Sequence, residues 1–408
     1  MNQPTCASKA KLALRNHEKC TYTIPGCDIG AIVPGVSMVV RGNRVNARSS
    51  GTSGGYRTLG EGQLATPVHH AQGATALPII DELSGVRLPT MADVQRAREV
   101  ISAHLQPTPL LTSPALDSRL GFSAFVKCEN LQPIGAFKVR GGLFLMSQLT
   151  PEERERGVVT ASTGNHGQAI AYAARNLGVP ATIWAPENAN TLKVAAMRRM
   201  GADVRLFGAD FDTSREAAQE DAATRGATFV SNANDWRLIA GVATYTVEIL
   251  EAVPDLDVLI VPAGGGSGLS GACLAGKDIK PDLQVLGVQA AGAPVVFESW
   301  RSRQLQQADR ADTFAEGLAT RVAFSLPAQI LWRRLDDFCL VSDQDMRRSI
   351  LTLLETTHTL AEGAGAAALA AAHNMREAFA GKKVGIVVSG GNITLDALAE
   401  TLAMEQPW

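Results

Sequence analysis

The run Glu129-Asn130-Leu131-Gln132-Pro133-Ile134-Gly135-Ala136-Phe137-Lys138 sets one lysine directly after an aromatic residue, in a stretch that carries few charges. Partial burial of such a lysine disfavours its ammonium form, and an unprotonated amine can form a Schiff base with an aldehyde. Taken alone, Lys138 is better explained as a surface lysine at the start of a helix. It gains a chemical meaning only from the loops that follow it along the chain.

The chain around this lysine alternates between two kinds of pattern. Thr90 is placed to cap a helix that runs to about residue 105, and helical stretches recur at 168–177 and 191–200. Short apolar runs of strand type occupy 157–160, 181–184, 202–206, 228–231, 258–261, 285–288 and 384–388. Strands separated by helices indicate a parallel, doubly wound α/β fold, and these strands are too many for one such sheet.

Composition is that of a soluble globular protein with room for two or more domains. The 408 residues are 46% hydrophobic and carry 38 Lys+Arg against 40 Asp+Glu, a formal net charge of -2. This balance gives no support for a nucleic-acid or membrane-surface partner. The six cysteines make no CxxC pair and indicate reduced thiols in a cytoplasmic protein rather than a disulfide framework or a zinc site.

The first 84 residues differ from the rest. Between Met1 and Glu61 eight Lys/Arg face three Asp/Glu, and 49–60 is rich in glycine and serine. No helical or strand period persists there, so we expect residues 1–84 to be a mostly disordered extension. The pair His69-His70 within it is better explained by solvation than by metal binding.

Three polar, glycine-rich loops each follow an apolar run. Ser162-Thr163-Gly164-Asn165-His166-Gly167 precedes a predicted helix, where hydroxyls and free N–H groups suit a carboxylate. Gly264-Gly265-Gly266-Ser267-Gly268 precedes a helix-forming stretch at 269–275 and suits a phosphate. Ser389-Gly390-Gly391-Asn392 sets a hydroxyl at the carboxyl end of a strand, where it can meet a ring nitrogen. Taken alone, the first loop favours the binding interpretation, because its two glycines go beyond what a helix cap needs. A tight turn explains the second loop about as well as a phosphate site does, and it explains the third loop better.

The second loop also fits the GxGxxG spacing of a dinucleotide site, through Gly266, Gly268 and Gly271. That interpretation needs an acidic residue about 20 positions further on, to hold the ribose. The next predicted strand ends at Gln289 instead, and no Walker lysine follows the loop. A nicotinamide dehydrogenase is therefore the weakest of the enzyme interpretations.

Together, the lysine after Ala136-Phe137 and the three loops resemble the fold-type II pyridoxal-phosphate enzymes. Within them the chain is most similar to the threonine/serine dehydratase group that also contains serine racemase, over about residues 88–402. The resemblance implies the tryptophan synthase β-like fold, with two three-layer α/β domains of mostly parallel sheets. It places residues 88–155 and 238–408 in a large cofactor-binding domain and 156–237 in a small domain.

The resemblance also implies a role for each motif residue. Lys138 is the Schiff-base lysine and, with Thr163, a catalytic position. The residues that bind pyridoxal 5'-phosphate are Phe137, Lys138, Asn165, Gly264, Gly265, Gly266, Ser267, Gly268, Gly317, Glu362 and Ser389. The residues that hold the substrate carboxylate are Ser162, Thr163, Gly164 and His166.

The expected chemistry follows from Ser389, because a neutral hydroxyl cannot keep the pyridine nitrogen protonated as a carboxylate would. A weaker electron sink disfavours transamination and suits rapid loss of a β-substituent. We therefore expect a threonine ammonia-lyase that forms 2-oxobutyrate and ammonia, and that converts L-serine to pyruvate. Alternatives are a serine racemase, a hydroxyaspartate- or hydroxyectoine-pathway lyase, or a weakly catalytic cofactor-binding protein.

Three departures from the family pattern qualify these expectations. Thr163 stands where serine racemase has a serine acid/base, which disfavours racemisation. Ser267 interrupts a run that is more usually four glycines. Gln289 and Val295 stand where cation-binding relatives have acidic residues, so we expect no divalent metal there.

The remaining expectations concern the molecule as a whole. The chain ends soon after Asn392, and biosynthetic relatives carry a further regulatory domain, so the resemblance implies a catabolic-type enzyme without feedback by isoleucine. Family analogy also implies a homodimer. The Ala-rich stretch 363–372 is available for burial against a neighbour, although an internal core helix is the better interpretation.

Overall fold

Strands and helices alternate along the chain from Leu110 onward, as the apolar runs predict. The computed structural model describes Gly85 and residues 87–408. The predicted N-terminal extension and its histidine pair lie outside these residues. None of the helices in the described ranges combines the length and apolar character that a membrane-crossing segment needs.

Ten strands within the described residues form two sheets. The strands are β1 Leu110–Leu111, β2 Ser123–Cys128, β3 Val158–Ala161, β4 Ala181–Ala185, β5 Asp203–Leu206, β6 Thr228–Phe229, β7 Val258–Pro262, β8 Gln284–Ala290, β9 Asp337–Val341 and β10 Lys383–Val388. A six-stranded sheet has the order β1-β2-β10-β7-β8-β9, and a four-stranded sheet has the order β5-β4-β3-β6. All neighbouring pairs are parallel except β1 with β2, which confirms the expected α/β fold with mostly parallel sheets.

The described residues also form fourteen α-helices, which cover the sheets. They are α1 Met91–Ser102, α2 Pro114–Leu120, α3 Lys138–Ser147, α4 Pro151–Arg156, α5 Asn165–Leu177, α6 Thr191–Arg199, α7 Phe211–Arg225, α8 Trp236–Ala252, α9 Ser267–Ile279, α10 Val295–Ser302, α11 Ser325–Arg334, α12 Asp343–Thr357, α13 Gly363–Asn374 and α14 Leu395–Met404. Short 3-10 turns occur at Glu129–Leu131, Glu316–Leu318 and Arg376–Phe379.

The central strands are buried along their length because helices cover both of their faces. Every residue of β3 and β7 is buried, and their sequences are continuous runs rich in valine and other apolar residues rather than alternating patterns. Helix α13 is buried along most of its length, so the Ala-rich stretch is a core helix. Its Gly365 has no room for a side chain, since a Cβ there would lie 2.1 Å from the Gly390 carbonyl oxygen.

Register places the ends of neighbouring strands side by side. Ile386 of β10 pairs with Ile260 of β7, so the residues that follow both strands emerge at the same edge of the sheet. This edge is where ligands bind in open α/β sheets. The first sheet draws its strands from residues 110–128 and 258–388, and the second from 158–229. The division of the chain into a large and a small domain at the expected bounds stays a prediction.

One helix begins earlier than the sequence predicts. Helix α5 starts at Asn165 rather than near Gln168, because Gly164 takes the cap position and Ser162 accepts the Gly167 N–H group at 2.9 Å. The hydroxyl replaces the hydrogen-bond partner that the first helical turn lacks, so the two glycines do not delay the helix. As a result Asn165 and His166 lie on the first turn of a helix.

Candidate active site

Lys138 is the first residue of α3 and is partly buried. Its Nζ makes one long hydrogen bond, of 3.3 Å, to the Asn232 carbonyl and lies 5.4 Å from the centre of the Phe137 ring. Burial without a carboxylate partner lowers the pKa of the Lys138 ammonium to about 8. An appreciable fraction of the side chain is therefore a free amine near neutral pH.

The loop that carries Lys138 is paired directly with the loop that follows β10. The Phe137 N–H group donates to the Ser389 carbonyl at 3.1 Å, and Ala136 forms an antiparallel bridge with Gly390. The side chain of Ser389 is 7% exposed, and its hydroxyl has no hydrogen-bond partner in the described part of the chain. A hydroxyl without a partner in the described chain, on a largely buried residue, thus stands beside the backbone that positions Lys138.

The glycine loop after β7 lies against both the lysine loop and the 3-10 turn at Glu316–Leu318. A Cβ on Gly264 would lie 2.1 Å from the Gly317 carbonyl oxygen, and a Cβ on Gly268 would lie 3.1 Å from the Phe137 ring. Side chains at Gly264 and Gly268 would therefore separate parts of the site that are in contact. The glycines are required by close approach and not only by the turn.

The same loop presents a row of unused hydrogen-bond donors. None of the backbone N–H groups from Gly264 to Leu269 has an acceptor within the residues that the structure describes. Helix α9 begins at Ser267, so the positive end of its dipole points to the same place. The Ser267 hydroxyl is also unpaired within the described chain, in a residue that is 3% exposed. This arrangement suits a phosphate group.

The loop Ser162–Gly167 offers donors of a similar kind at the start of α5. The Ser162 hydroxyl accepts the N–H groups of Gly164 and Gly167, at 3.2 and 2.9 Å. The N–H groups of Asn165 and His166 have no acceptor among the described residues. A Cβ on Gly164 would meet open space, and Thr163 is only partly buried. The loop is thus accessible, and its free N–H groups suit a carboxylate.

The His166 side chain is turned away from this loop. Its Nε2 lies 3.1 Å from the Thr160 hydroxyl, which itself donates to the Val230 carbonyl at 2.8 Å. The hydroxyl hydrogen is therefore in use, and Nε2 must carry the donated hydrogen. Burial and the charge of Lys138 lower the pKa of the imidazole to about 3. His166 is a neutral ring at physiological pH, and only its backbone N–H group faces the loop.

A chain of side-chain amides links α5 to the residues after β10 and before α13. Asn165 donates from Nδ2 to the Glu362 carboxylate at 2.7 Å, and Asn392 donates to the Asn165 Oδ1 at 2.7 Å. Burial raises the pKa of the Glu362 carboxyl, while Lys193 and the bond from Asn165 oppose the rise. The orientation of Asn165 is thus fixed by two partners, one hydrogen of its amide group remaining for a ligand.

Behind Lys138 lies a network of buried charges. All five N–H groups of Arg140 are used: two bond to Glu129 at 2.8 Å, two to Glu248 at 2.6 and 2.8 Å, and one to Thr244 at 3.1 Å. Lys127 adds a further bond to Glu248 at 2.5 Å. Arg140 and Glu129 are both 0% exposed. The network therefore clamps the two ends of the loop that presents Lys138.

The mouth of the site carries an ion pair. Lys193, on α6, bonds to Glu316, which directly precedes Gly317. Both residues line a cavity of about 40 Å³ that Glu362 and Asn392 also line. The side chain of Lys193 is 11% exposed and that of Glu316 is 60% exposed. The pair thus joins an element of the four-stranded sheet to the loop that covers Gly264.

Gln289, which stands where cation-binding relatives have an acidic residue, caps a helix in this structure. Its Oε1 accepts the N–H groups of Val296 and Phe297 at 3.1 and 3.0 Å, which caps α10. Among the described residues there is no group of three or more His, Cys, Asp or Glu side chains that suits a metal ion. The absence of a divalent ion at Gln289 and Val295 stays a prediction.

The structure brings the residues predicted from sequence together. Phe137 meets Gly268, Gly264 meets Gly317, and Glu362 meets Asn165. The sequence assigned no role to several residues that the structure places around the site: Asn232, Asn392, Lys193, Glu316 and the buried network around Arg140. Asn392 belongs to a motif that the sequence offered, whereas the others are recognisable only from tertiary contacts.

Comparisons with known proteins agree with this geometry. A family model described as pyridoxal-phosphate dependent enzyme matches residues 101–390. An L-threonine ammonia-lyase of Thermotoga maritima is 38% identical over 309 residues, covering 76% of this chain and 77% of the relative. An L-threo-3-hydroxyaspartate ammonia-lyase of Saccharomyces cerevisiae is 36% identical, covering 78% of this chain and 97% of the relative.

Solved structures give the same result. The structure of maize serine racemase matches with a TM-score of 0.73 at 31% identity, and covers 77% of this chain and 97% of that chain. The fold-type II architecture expected from the motifs is confirmed. The chain belongs to the family of pyridoxal-phosphate dependent enzymes.

Proposed function

We propose that this enzyme is an ammonia-lyase of β-hydroxy amino acids that converts L-threonine to 2-oxobutyrate and ammonia and accepts L-serine as a second substrate. The observation that carries the proposal is Lys138. It is a partly buried lysine whose pKa is lowered to about 8, in a loop paired with Ser389 and in contact with the glycine loop. Relatives named as threonine ammonia-lyases support the substrate.

The site fits pyridoxal 5'-phosphate at each of its polar groups. The unpaired N–H groups of Gly264–Gly268 and the Ser267 hydroxyl suit the phosphate, and the unpaired Ser389 hydroxyl suits the pyridine nitrogen. The Lys138 amine suits the aldehyde. The remaining amide hydrogen of Asn165 suits the ring hydroxyl, with Glu362 fixing the amide. Phe137 and Gly317 would lie against the ring.

When bound, the cofactor supplies an electron-accepting ring that stabilises negative charge at the substrate Cα. The N–H groups of Asn165 and His166, with the Ser162 and Thr163 hydroxyls, hold the substrate carboxylate. The neutral His166 ring adds no charge to that site. Lys138 removes the Cα proton, because an amine with a pKa of about 8 is unprotonated often enough to act as a base near neutral pH.

Ser389 directs the outcome of this step. A neutral hydroxyl does not hold a proton on the ring nitrogen, so the charge at Cα is relieved by loss of the β-hydroxyl group rather than by reprotonation elsewhere. The β-hydroxyl leaves as water with the proton that Lys138 took from Cα. Hydrolysis of the resulting enamine takes up one water and releases ammonia, so threonine gives 2-oxobutyrate and ammonia with no net change in water.

A racemase is the second candidate: Thr163 suits racemisation less well than the serine of serine racemase, but it still carries a hydroxyl group. Its hydroxyl is partly exposed and has no partner among the described residues. A group of this kind on the face opposite Lys138 would return a proton to Cα and invert the stereocentre. The relative named serine racemase in Schizosaccharomyces pombe is 35% identical to this chain.

One assay separates these candidates. Purified protein is incubated with L-threonine, L-serine and L-threo-3-hydroxyaspartate, and 2-oxo acid formation and the enantiomers of the remaining amino acid are followed. We expect 2-oxobutyrate from threonine, no turnover by Lys138→Ala, and full activity in Lys383→Ala, which alters an exposed lysine at the far end of β10. D-serine without 2-oxo acid would establish the racemase, and cofactor binding without either product would contradict catalysis.

Two further properties are proposed from the resemblance and the composition. We propose a homodimer, which light scattering of the purified protein tests. We propose a cytoplasmic location, which the free thiols of Cys128, Cys273 and Cys339 support. Fractionation of the source cells tests it.

A further inference from the structure

A connection of unusual length crosses the mouth of the site. Residues 303–324 join α10 to α11 and contain little regular structure besides the 3-10 turn at Glu316–Leu318. Connections longer than about 12–15 residues are uncommon in compact domains and are usually functional or disordered. Residues 303–324, here named the strap, make specific contacts with both halves of the site.

The strap is closed on itself and is also tied to helix α12. Near its two ends, the Ala308 N–H group donates to the Arg321 carbonyl at 2.8 Å, which brings the ends together as in a hairpin. Farther along, the Phe314 N–H group donates to the Asp343 carboxylate at 3.0 Å, at the start of α12. The strap also covers the glycine loop after β7 through the close contact of Gly317.

A second set of contacts ties the strap to helices of the four-stranded sheet, and both are ion pairs. Lys193 of α6 bonds to Glu316, and Asp212 of α7 bonds to Arg321. Lys193 is 11% exposed and Glu316 is 60% exposed, whereas Asp212 and Arg321 are each about a third exposed. Each pair therefore reaches solvent through at least one partner, and ion pairs open to water are weak and are screened by salt. Such pairs can hold two elements together and still release them.

The position of Lys193 in its helix is unfavourable for a positive charge, and the ion pair with Glu316 offsets this. Lys193 lies in the first turn of α6, where the helix dipole disfavours a positive charge and where no acidic residue of that turn balances it. Helix α6 also packs on the substrate-side loop, since a Cβ on Gly167 would lie 2.5 Å from the Met197 sulfur. A displacement of α6 is therefore transmitted to the Ser162–Gly167 loop.

We propose that the Lys193–Glu316 and Asp212–Arg321 ion pairs form a latch that holds the Ser162–Gly167 loop over the cofactor-binding loops. The four side chains are positioning residues: they act through α6, α7 and the strap and do not take part in the chemistry. The latch is open to competition from salt, so closure of the site depends on ionic strength. The latch itself does not depend on the proposed function. Only its expected effect on the KM for threonine rests on that function.

The test is a charge exchange at the Lys193–Glu316 pair, which lines the cavity that Glu362 and Asn392 also line. Lys193→Glu sets two carboxylates against each other, Glu316→Lys sets two ammonium groups against each other, and the double variant K193E/E316K restores an opposite pair. Lys280→Glu is the matched control, because Lys280 pairs with Asp282 on an exposed turn away from the site. All variants are made in the full chain.

The first readout is hydrogen exchange of the cofactor-free protein, measured by mass spectrometry at low and high salt. We expect exchange of peptides covering 191–199 and 309–321 to rise in each single variant and to return in the double variant. High salt should raise exchange of the same peptides in the unaltered protein. Because no substrate is needed, this readout stands even if the proposed reaction is wrong.

The second readout is steady-state kinetics with threonine. We expect each single variant to raise KM about fivefold or more with kcat little changed, and the double variant to recover KM. Unchanged exchange in both single variants, or failure of the double variant to restore exchange, would overturn the latch. Restored exchange without any response of KM would overturn the positioning role.

Discussion

Two groups of ion pairs serve the same site and differ in burial. Behind Lys138, Arg140 is enclosed with Glu129 and Glu248, and every N–H group of its guanidinium is bonded. Across the mouth, Lys193 and Glu316 pair at the surface. The comparison teaches that the backbone around Lys138 is held by enclosed charges, whereas the ion pairs of the proposed latch are open to solvent.

The buried group should give the largest effect. Arg140→Met leaves Glu129 and two hydrogen bonds of Glu248 without their partner, so the free energy of unfolding should fall by about 3–5 kcal/mol. Urea unfolding measures this change. Arg98→Met, at an exposed pair with Glu251, is the control and should cost about 1 kcal/mol or less. Equal losses in both variants would remove the distinction between the two groups.

A double variant then separates stability from positioning. E129Q/R140M removes one positive and one negative charge and leaves the Lys127–Glu248 pair intact. Because the remaining buried charges balance, much of the lost stability should return, by about 1–3 kcal/mol relative to Arg140→Met. We expect the visible absorbance of the cofactor-loaded protein to stay altered, since the loop that presents Lys138 is still without its clamp. Full recovery of both would mean that the network is structural only.

The charged form of Lys138 should lower the free energy of unfolding of the cofactor-free protein. Its pKa is about 8 in the folded chain, against 10.5 for an unperturbed lysine. As pH rises, the Lys138 side chain of the folded state loses its proton at a lower pH than that of the unfolded state. The free energy of unfolding should therefore rise as pH increases from about 8 to 10.5. Below pH 8, Lys138→Met should be more stable than the unaltered protein, by the order of 1–3 kcal/mol. Unfolding curves across this pH range measure the difference, and a less stable Lys138→Met protein at pH 7 would contradict the lowered pKa.

The smallest effect is expected at the mouth. Lys193→Ala should change the free energy of unfolding by about 1 kcal/mol or less, since the partner Glu316 is free to turn into water. Raising the salt concentration should remove most of that difference. Unfolding curves at low and high salt test this, and a loss as large as that of Arg140→Met would place Lys193 among the buried charges instead.

The sequence predicted the parts of the fold whose signal is local. Buried parallel strands such as β7 and β10 are continuous apolar runs, and the loops after them stand out by their glycines. Strands β2 and β9 were not predicted. Lys127 interrupts the apolar run of β2, and β9 offers only four apolar residues after Asp337. Burial of Lys127 depends on Glu248, 121 residues away, and on the Thr108 carbonyl, which both accept hydrogen bonds from its ammonium group.

The candidate site shows the same limit. Lys138 and the three loops were recognisable because the four motifs occur together and in one order along the chain. The partner that fixes Asn165 is Glu362, 197 residues along the chain, and the partner of Lys193 is 123 residues away. Neither pairing can be predicted from the spacing of residues along the chain, because the partners are so far apart in sequence. The turn of the His166 ring toward Thr160 likewise depends on the packing of β6 against β3.

The most direct test of the central claim is to find where the cofactor aldehyde is attached. Purified protein is loaded with pyridoxal 5'-phosphate, treated with borohydride, digested, and examined by mass spectrometry, with Lys193→Ala as a second sample. The account predicts the added mass on the peptide that contains Lys138, in both samples. Unmodified Lys138 beside a modified lysine elsewhere would contradict it.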